Sequence, residues 1–228
     1  MNRIAVILFL IVIWPFFACS CAKTRKEPAR KTDEEPALAP VSQDVDGRPI
    51  IIAFGDSLTA GQGVDPAQNY PSKLQAKIDA AGYRYRIINA GVSGETSSQG
   101  LDRVQAFSTL HPAIAIVELG ANDGLRGLPV EATRGNLAAI VRQFQSMGAK
   151  VILAGMEIPP NYGPQYTSSF RKIFTGLAKE YHTSLIPFFL EGVGGHPDLN
   201  QDDGIHPTAG GYDIVVENVW KVLQPMLR

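Results

Sequence analysis

From Pro49 to the C terminus the chain alternates short apolar runs with amphipathic segments, and this rhythm limits its fold more than any other feature. An apolar run of roughly four to eight residues suits a strand buried on both faces, and a helix between two such strands returns the chain so that they pair in parallel. The pattern predicts strands at Ile50 to Phe54, Tyr85 to Asn89, Ala113 to Leu119, Lys150 to Ala154 and Thr183 to Ile186. Helices are predicted over Gln68 to Ala81, Thr96 to Phe107, Val130 to Met147, Gln165 to Tyr181 and Thr208 to Leu223. Gly82 and Gly148 stand where C-terminal caps belong, and Pro71 falls in a first turn, where its missing N–H costs little. Five strands alternating with helices imply an α/β protein, a three-layer α/β/α sandwich on a five-stranded parallel sheet. Right-handed crossovers then place ligands at the carboxyl ends of the strands.

The 228 residues do not all belong to this sandwich. Asn2 and Arg3 open a short positive start, and Ile4 to Phe17 is an apolar run too short to span a bilayer comfortably. Residues 1–21 are therefore an expected export signal. Both cysteines, Cys19 and Cys21, lie at its end beside Ala18 and Ser20. That placement resembles a bacterial lipoprotein signal, in which a lipidated cysteine begins the mature chain, so a membrane tether through an N-terminal lipid is expected. Ordinary secretion and a retained single anchor are the alternatives. Residues 22–48 read as a flexible tether: from Ala22 to about Asp46 the chain is rich in Lys, Arg, Glu, Asp, Pro and Ala, with too little apolar surface to offset the entropy of ordering it. The exported domain, residues 49–228, contains no cysteine, which rules out an internal disulfide and a thiol nucleophile there. Periplasmic, envelope-anchored or secreted locations all fit that arrangement.

Chemistry-bearing residues gather at strand ends. Phe54-Gly55-Asp56-Ser57 closes the first predicted strand, Asn89-Ala90-Gly91 the second and Gly120-Ala121-Asn122-Asp123 the third, while Asp203-Gly204-Ile205-His206 leads into the last helix. A neutral imidazole takes the proton of a serine hydroxyl, and a carboxylate on its other nitrogen fixes the tautomer. Asp203 and His206, three residues apart in one turn, are suited to that partnership with Ser57. The residues thus describe a serine hydrolase.

The same blocks resemble the SGNH or GDSL hydrolase family, in its thioesterase I, lysophospholipase and arylesterase branch. Gly55-Asp56-Ser57-Leu58-Thr59-Ala60-Gly61 matches the nucleophile block, Asn89-Ala90-Gly91-Val92-Ser93-Gly94 the glycine block, Gly120-Ala121-Asn122-Asp123 the asparagine block and Asp203-Gly204-Ile205-His206-Pro207 the acid and base block. Glu118-Leu119 and Gly124-Leu125-Arg126-Gly127 extend the likeness. The resemblance implies a flavodoxin-like fold with Ser57 as nucleophile, His206 as base and Asp203 as its orienter. It further implies an oxyanion hole formed by the N–H groups of Ser57 and Gly91 with the Asn122 amide, and a structural Asp56. The implied reaction is hydrolysis of carboxylic esters or thioesters (aryl esters, acyl thioesters, lysophospholipids) without cofactor or metal.

Other functions retain a place. The same site could remove O-acetyl groups from a polysaccharide, or a misaligned triad could leave a surface lipoprotein that only binds. Asp56, Asn122, Asp203 and His206 would have to serve as ligands in a metal-dependent phosphoesterase, but no second carboxylate and histidine cluster accompanies them. An α/β-hydrolase would need a glycine where Thr59 stands. The net charge of −1 supplies no sequence-wide basic field, so nucleic acid is not an expected partner. Val64, Leu125 to Pro129, Ile158 to Tyr166 and Leu190 to Gly195 are the expected pocket loops. Glu118 in an apolar strand requires partners, and Arg126 is either its counter-charge or a rim residue.

Overall fold

The computed structural model describes residues 47–228. The expected export signal, residues 1–21, and nearly all of the expected tether, residues 22–48, lie outside the described residues. Five strands form one sheet: β1 Ile50–Gly55, β2 Arg86–Gly91, β3 Ile114–Glu118, β4 Lys150–Ala154 and β5 Ser184–Ile186. Every neighbouring pair is parallel, and the order is β2-β1-β3-β4-β5. All residues of β1 and β3 are buried, which explains why they read as continuous apolar runs without alternation.

Among the described residues seven α-helices accompany the sheet: α1 Ser57–Ala60, α2 Tyr70–Ala80, α3 Ser97–Arg103, α4 Ala121–Leu125, α5 Val130–Ser146, α6 Pro164–Glu180 and α7 Ala209–Leu223. α2 packs against α7, while α5 packs against both α3 and α6, so two helical groups enclose the sheet. Phe54 of β1 meets Phe107 and Phe144 edge-on, with ring centroids 5.7 and 5.2 Å away. Truncating such a fully buried ring to alanine costs roughly 3–5 kcal/mol, so this cluster is a large part of what holds β1 in place.

The differences from the sequence reading are local. The helix expected from Gln68 begins at Tyr70, because Asn69 caps it by accepting the Ser72 N–H at 2.9 Å. The helix expected from Thr96 to Phe107 divides into α3 and a 3-10 segment, Val104–Leu110. β2 runs two residues further than expected, pairing Gly91 with Gly55.

The strand order places the site. From β1 the chain moves outward to β2 and then crosses to β3 on the other side. At such a switch point the connections leave in opposite directions and open a crevice at the carboxyl ends. Ser57 follows β1 and Asn122 follows β3.

Candidate active site

Gly55 brings β1 directly over the carboxyl of Glu118; a Cβ there would be driven into Thr59 and Glu118. Asp56 then caps α1, its Oδ1 accepting the Leu58 N–H at 3.0 Å. Ser57 consequently starts a helix, with an N–H that no hydrogen bond among the described residues engages. Glu118 Oε2 supports the turn from below, accepting the Thr59 hydroxyl at 2.7 Å and the Asp56 N–H at 3.4 Å. Burial, reinforced by the nearby Asp56, holds the Glu118 carboxyl well above the usual carboxylate range, and burial pushes Asp56 up to about 6.

The loop before α7 supplies the base. Asp203 Oδ1 accepts the N–H groups of Ile205 and His206, each at 3.0 Å, and Gly204 takes the left-handed φ of +73° that this turn requires. The turn brings the two side chains together and carries the imidazole to the serine: Asp203 Oδ2 lies 2.7 Å from His206 Nδ1, and His206 Nε2 lies 2.9 Å from Ser57 Oγ. The His206 hydrogen bond and then the Ile205 N–H hold the Asp203 carboxyl down to about 2, so it is ionised and can only accept. His206 Nδ1 therefore carries the imidazole proton, leaving Nε2 to accept the Ser57 hydroxyl. The three side chains expected from the sequence as a triad meet as one chain of hydrogen bonds.

Asn122 also reaches the site. Its Nδ2 donates to Asp56 Oδ2 at 3.1 Å and to the Glu95 carbonyl at 3.0 Å, and the residue lines the cavity. Gly91 requires a correction. Its N–H donates to Asn89 Oδ1 at 3.0 Å, it does not line the cavity, and a Cβ on it would strike the Thr59–Ala60 backbone. The lack of a side chain at Gly91 lets β2 approach α1; it does not present a donor to a reacting carbonyl. Gly94, three residues on, lines the cavity with a φ of +78°, and no hydrogen bond among the described residues engages its N–H. Both glycines stand in Asn89-Ala90-Gly91-Val92-Ser93-Gly94. The second became recognisable only once β2 was seen to run through Gly91.

A cavity of about 530 Å³ opens above Ser57, Asn122 and His206, with apolar walls from Leu125, Met156, Ile158, Phe188 and Leu190. Ordinary ligand sites fall in this range and have this character. Leu125, Ile158, Pro159, Pro160, Leu190, Gly194 and Gly195 line it as the loop assignments anticipated. Val64 instead packs on the core. Tyr162 and Tyr166 stand behind the wall, donating at 2.6 Å to the carbonyls of Leu125 and Leu128. Met156 and Phe188 were missed because they follow the ends of β4 and β5 in segments without a chemical signature. Arg126 is not the counter-charge of Glu118; its Nη2 donates to the Gly94 carbonyl at 2.8 Å.

The family model described as the GDSL-like Lipase/Acylhydrolase family matches residues 53–214. The esterase TesA of Pseudomonas aeruginosa is 41% identical over 192 residues, spanning 84% of this chain and 95% of that protein. Thioesterase 1/protease 1/lysophospholipase L1 of Escherichia coli K12 is 37% identical over 179 residues, spanning 78% of this chain and 85% of that protein. The crystal structure of TesA superposes with a TM-score of 0.76 at 42% identity, covering 78% of this chain and 99% of its own.

Proposed function

The chain belongs to the GDSL-like lipase/acylhydrolase family, and on that premise we propose that Ser57, His206 and Asp203 hydrolyse carboxylic esters or thioesters through an acyl-serine. The carrying observation is the 2.9 Å contact of Ser57 Oγ with His206 Nε2 at the floor of an apolar cavity. His206 Nε2 takes the hydroxyl proton as Ser57 Oγ attacks the acyl carbon. The tetrahedral oxyanion is met by the N–H groups of Ser57 and Gly94 and by the Asn122 amide, which gives up its bond to Asp56 Oδ2 to do so and keeps the one to the Glu95 carbonyl. Protonated His206 then gives its proton to the departing alcohol or thiol. Water attacks the acyl-serine with His206 again as base, releasing a carboxylic acid and restoring the serine.

Aryl esters, acyl thioesters and lysophospholipids form the substrate class, because the walls offer apolar contact to an acyl or aryl group. The N-terminal apolar run and Cys19 and Cys21 support export with lipid attachment, which an intact mass of the native protein tests. For the reaction, Ser57→Ala is the test. Turnover of p-nitrophenyl esters is expected to fall on the order of a millionfold, as when a unit of cooperating groups loses its nucleophile. A folded variant with near-parental turnover would falsify the assignment.

A further inference from the structure

Arg103 ends α3 and does not line the cavity, yet its side chain grips two of the loops that form the site. Nε donates to Glu95 Oε1 at 2.6 Å and Nη2 to Glu95 Oε2 at 2.5 Å, a two-pronged hold on one carboxylate. Nη2 also donates to the Gly55 carbonyl at 3.2 Å, two residues before Ser57. The guanidinium lies over Phe54, 4.0 Å from the ring centroid. Both partners are largely shielded from water, with 12% of the Arg103 side chain and 5% of Glu95 exposed.

The hold extends to the third loop. Glu95 follows Gly94 directly, and its carbonyl accepts Asn122 Nδ2 at 3.0 Å. One guanidinium thus relates the nucleophile turn, the Gly94 peptide and the Asn122 amide to one another. Stability alone is a weak reason to retain such a pair, since a buried ion pair often contributes no more than well-packed apolar residues of equal volume. A planar fork, by contrast, fixes direction as well as distance.

We infer that Arg103 is a positioning residue for acyl transfer, setting where the Gly94 and Asn122 donors stand relative to Ser57. The inference rests on the proposed acyl-transfer reading of the site. Donors aimed at an oxyanion act in the transition state and not on the bound ester, so a shift in their placement lowers kcat and leaves KM in place.

The test compares the purified full-length chain with Arg103→Lys, Arg103→Met and Glu95→Gln. Lysine keeps the charge without the fork, so a side chain that only neutralised Glu95 would be replaced by it without loss. With p-nitrophenyl acetate, kcat of Arg103→Lys is expected to fall about a hundredfold, with KM within about twofold, as sub-ångström to ångström misplacement does. Inhibition by phenylboronic acid, which turns tetrahedral and anionic on a serine, is expected to weaken by a similar factor. Retention of parental kcat by Arg103→Lys, or a loss carried by KM with boronate inhibition intact, overturns the inference. Should Arg103→Met fail to fold by circular dichroism, Arg103→Lys and Glu95→Gln decide the matter by the same criteria. A parent chain that neither hydrolyses the ester nor is labelled at Ser57 by a fluorophosphonate overturns the acyl-transfer reading itself, an outcome separate from any change at Arg103.

Discussion

Thr59 donates its hydroxyl to Glu118 Oε2 at 2.7 Å, joining the nucleophile helix α1 to the end of β3 in a fully buried contact. Burial, with Asp56 adding to it, keeps that carboxyl protonated beyond the usual carboxylate range. The unfolded chain loses the proton near pH 4.3, whereas the folded chain keeps it. The stability this gives is full at low pH and is lost as pH rises through the folded value. Glu118→Gln keeps the shape and the acceptor but has no proton to lose. Its melting temperature is expected to fall less steeply than the parent's as pH is raised from about 5 to 8. Identical slopes in calorimetry would show that Glu118 is ionised in the fold.

Asp203 acts in the opposite sense. Its carboxyl is held down to about 2 by the His206 hydrogen bond and then the Ile205 N–H, so the stability it contributes is present above the ordinary value of 3.8 and lost as pH falls through about 2. Down to about pH 4 it adds no protonation step of its own to the acid limb of kcat/KM. Asp203→Asn is expected to cost about ten-thousandfold in kcat, because an amide no longer selects the Nδ1–H tautomer. Stopped assays on an aryl ester check the size of the loss, and a deficit under tenfold would remove Asp203 from the role.

Asn122→Ala deletes one donor from the cavity and one hydrogen bond from buried Asp56. Loss of a single oxyanion donor lowers kcat by roughly a hundred- to a thousandfold. Steady-state kinetics should show that loss in kcat with KM little changed. A dominant change in KM would instead make Asn122 a binding residue.

Gly91→Ala separates packing from donation. The added methyl meets the Thr59–Ala60 backbone, and overpacking of this kind costs roughly 1–3 kcal/mol. Denaturant unfolding should register it as a lower midpoint. An unchanged midpoint would mean that β2 and α1 are less tightly apposed than described.

The strands were legible because each is a bounded apolar run, and the larger helices because they repeat at helical spacing. α1 and α4, of 4 and 5 residues, were not, since neither is long enough to show a period. Ser57, Asp203 and His206 were legible from strand-end placement and a three-residue turn. The glycine donor was not, because choosing between Gly91 and Gly94 depends on how far β2 pairs with β1. Arg103 and Glu95 left no local signal at all; the grip between them becomes visible only when α3 folds back over Phe54.

The serine and its imidazole are 149 positions apart, so the segment bearing the histidine is made long after the one bearing the serine. Nascent chains that have not reached His206 have a hydroxyl with no base, however well the sheet has begun to assemble. Chemical competence therefore arrives in one step, with the loop before α7. A first turnover then reports that the end of β1 and the loop before α7 have met.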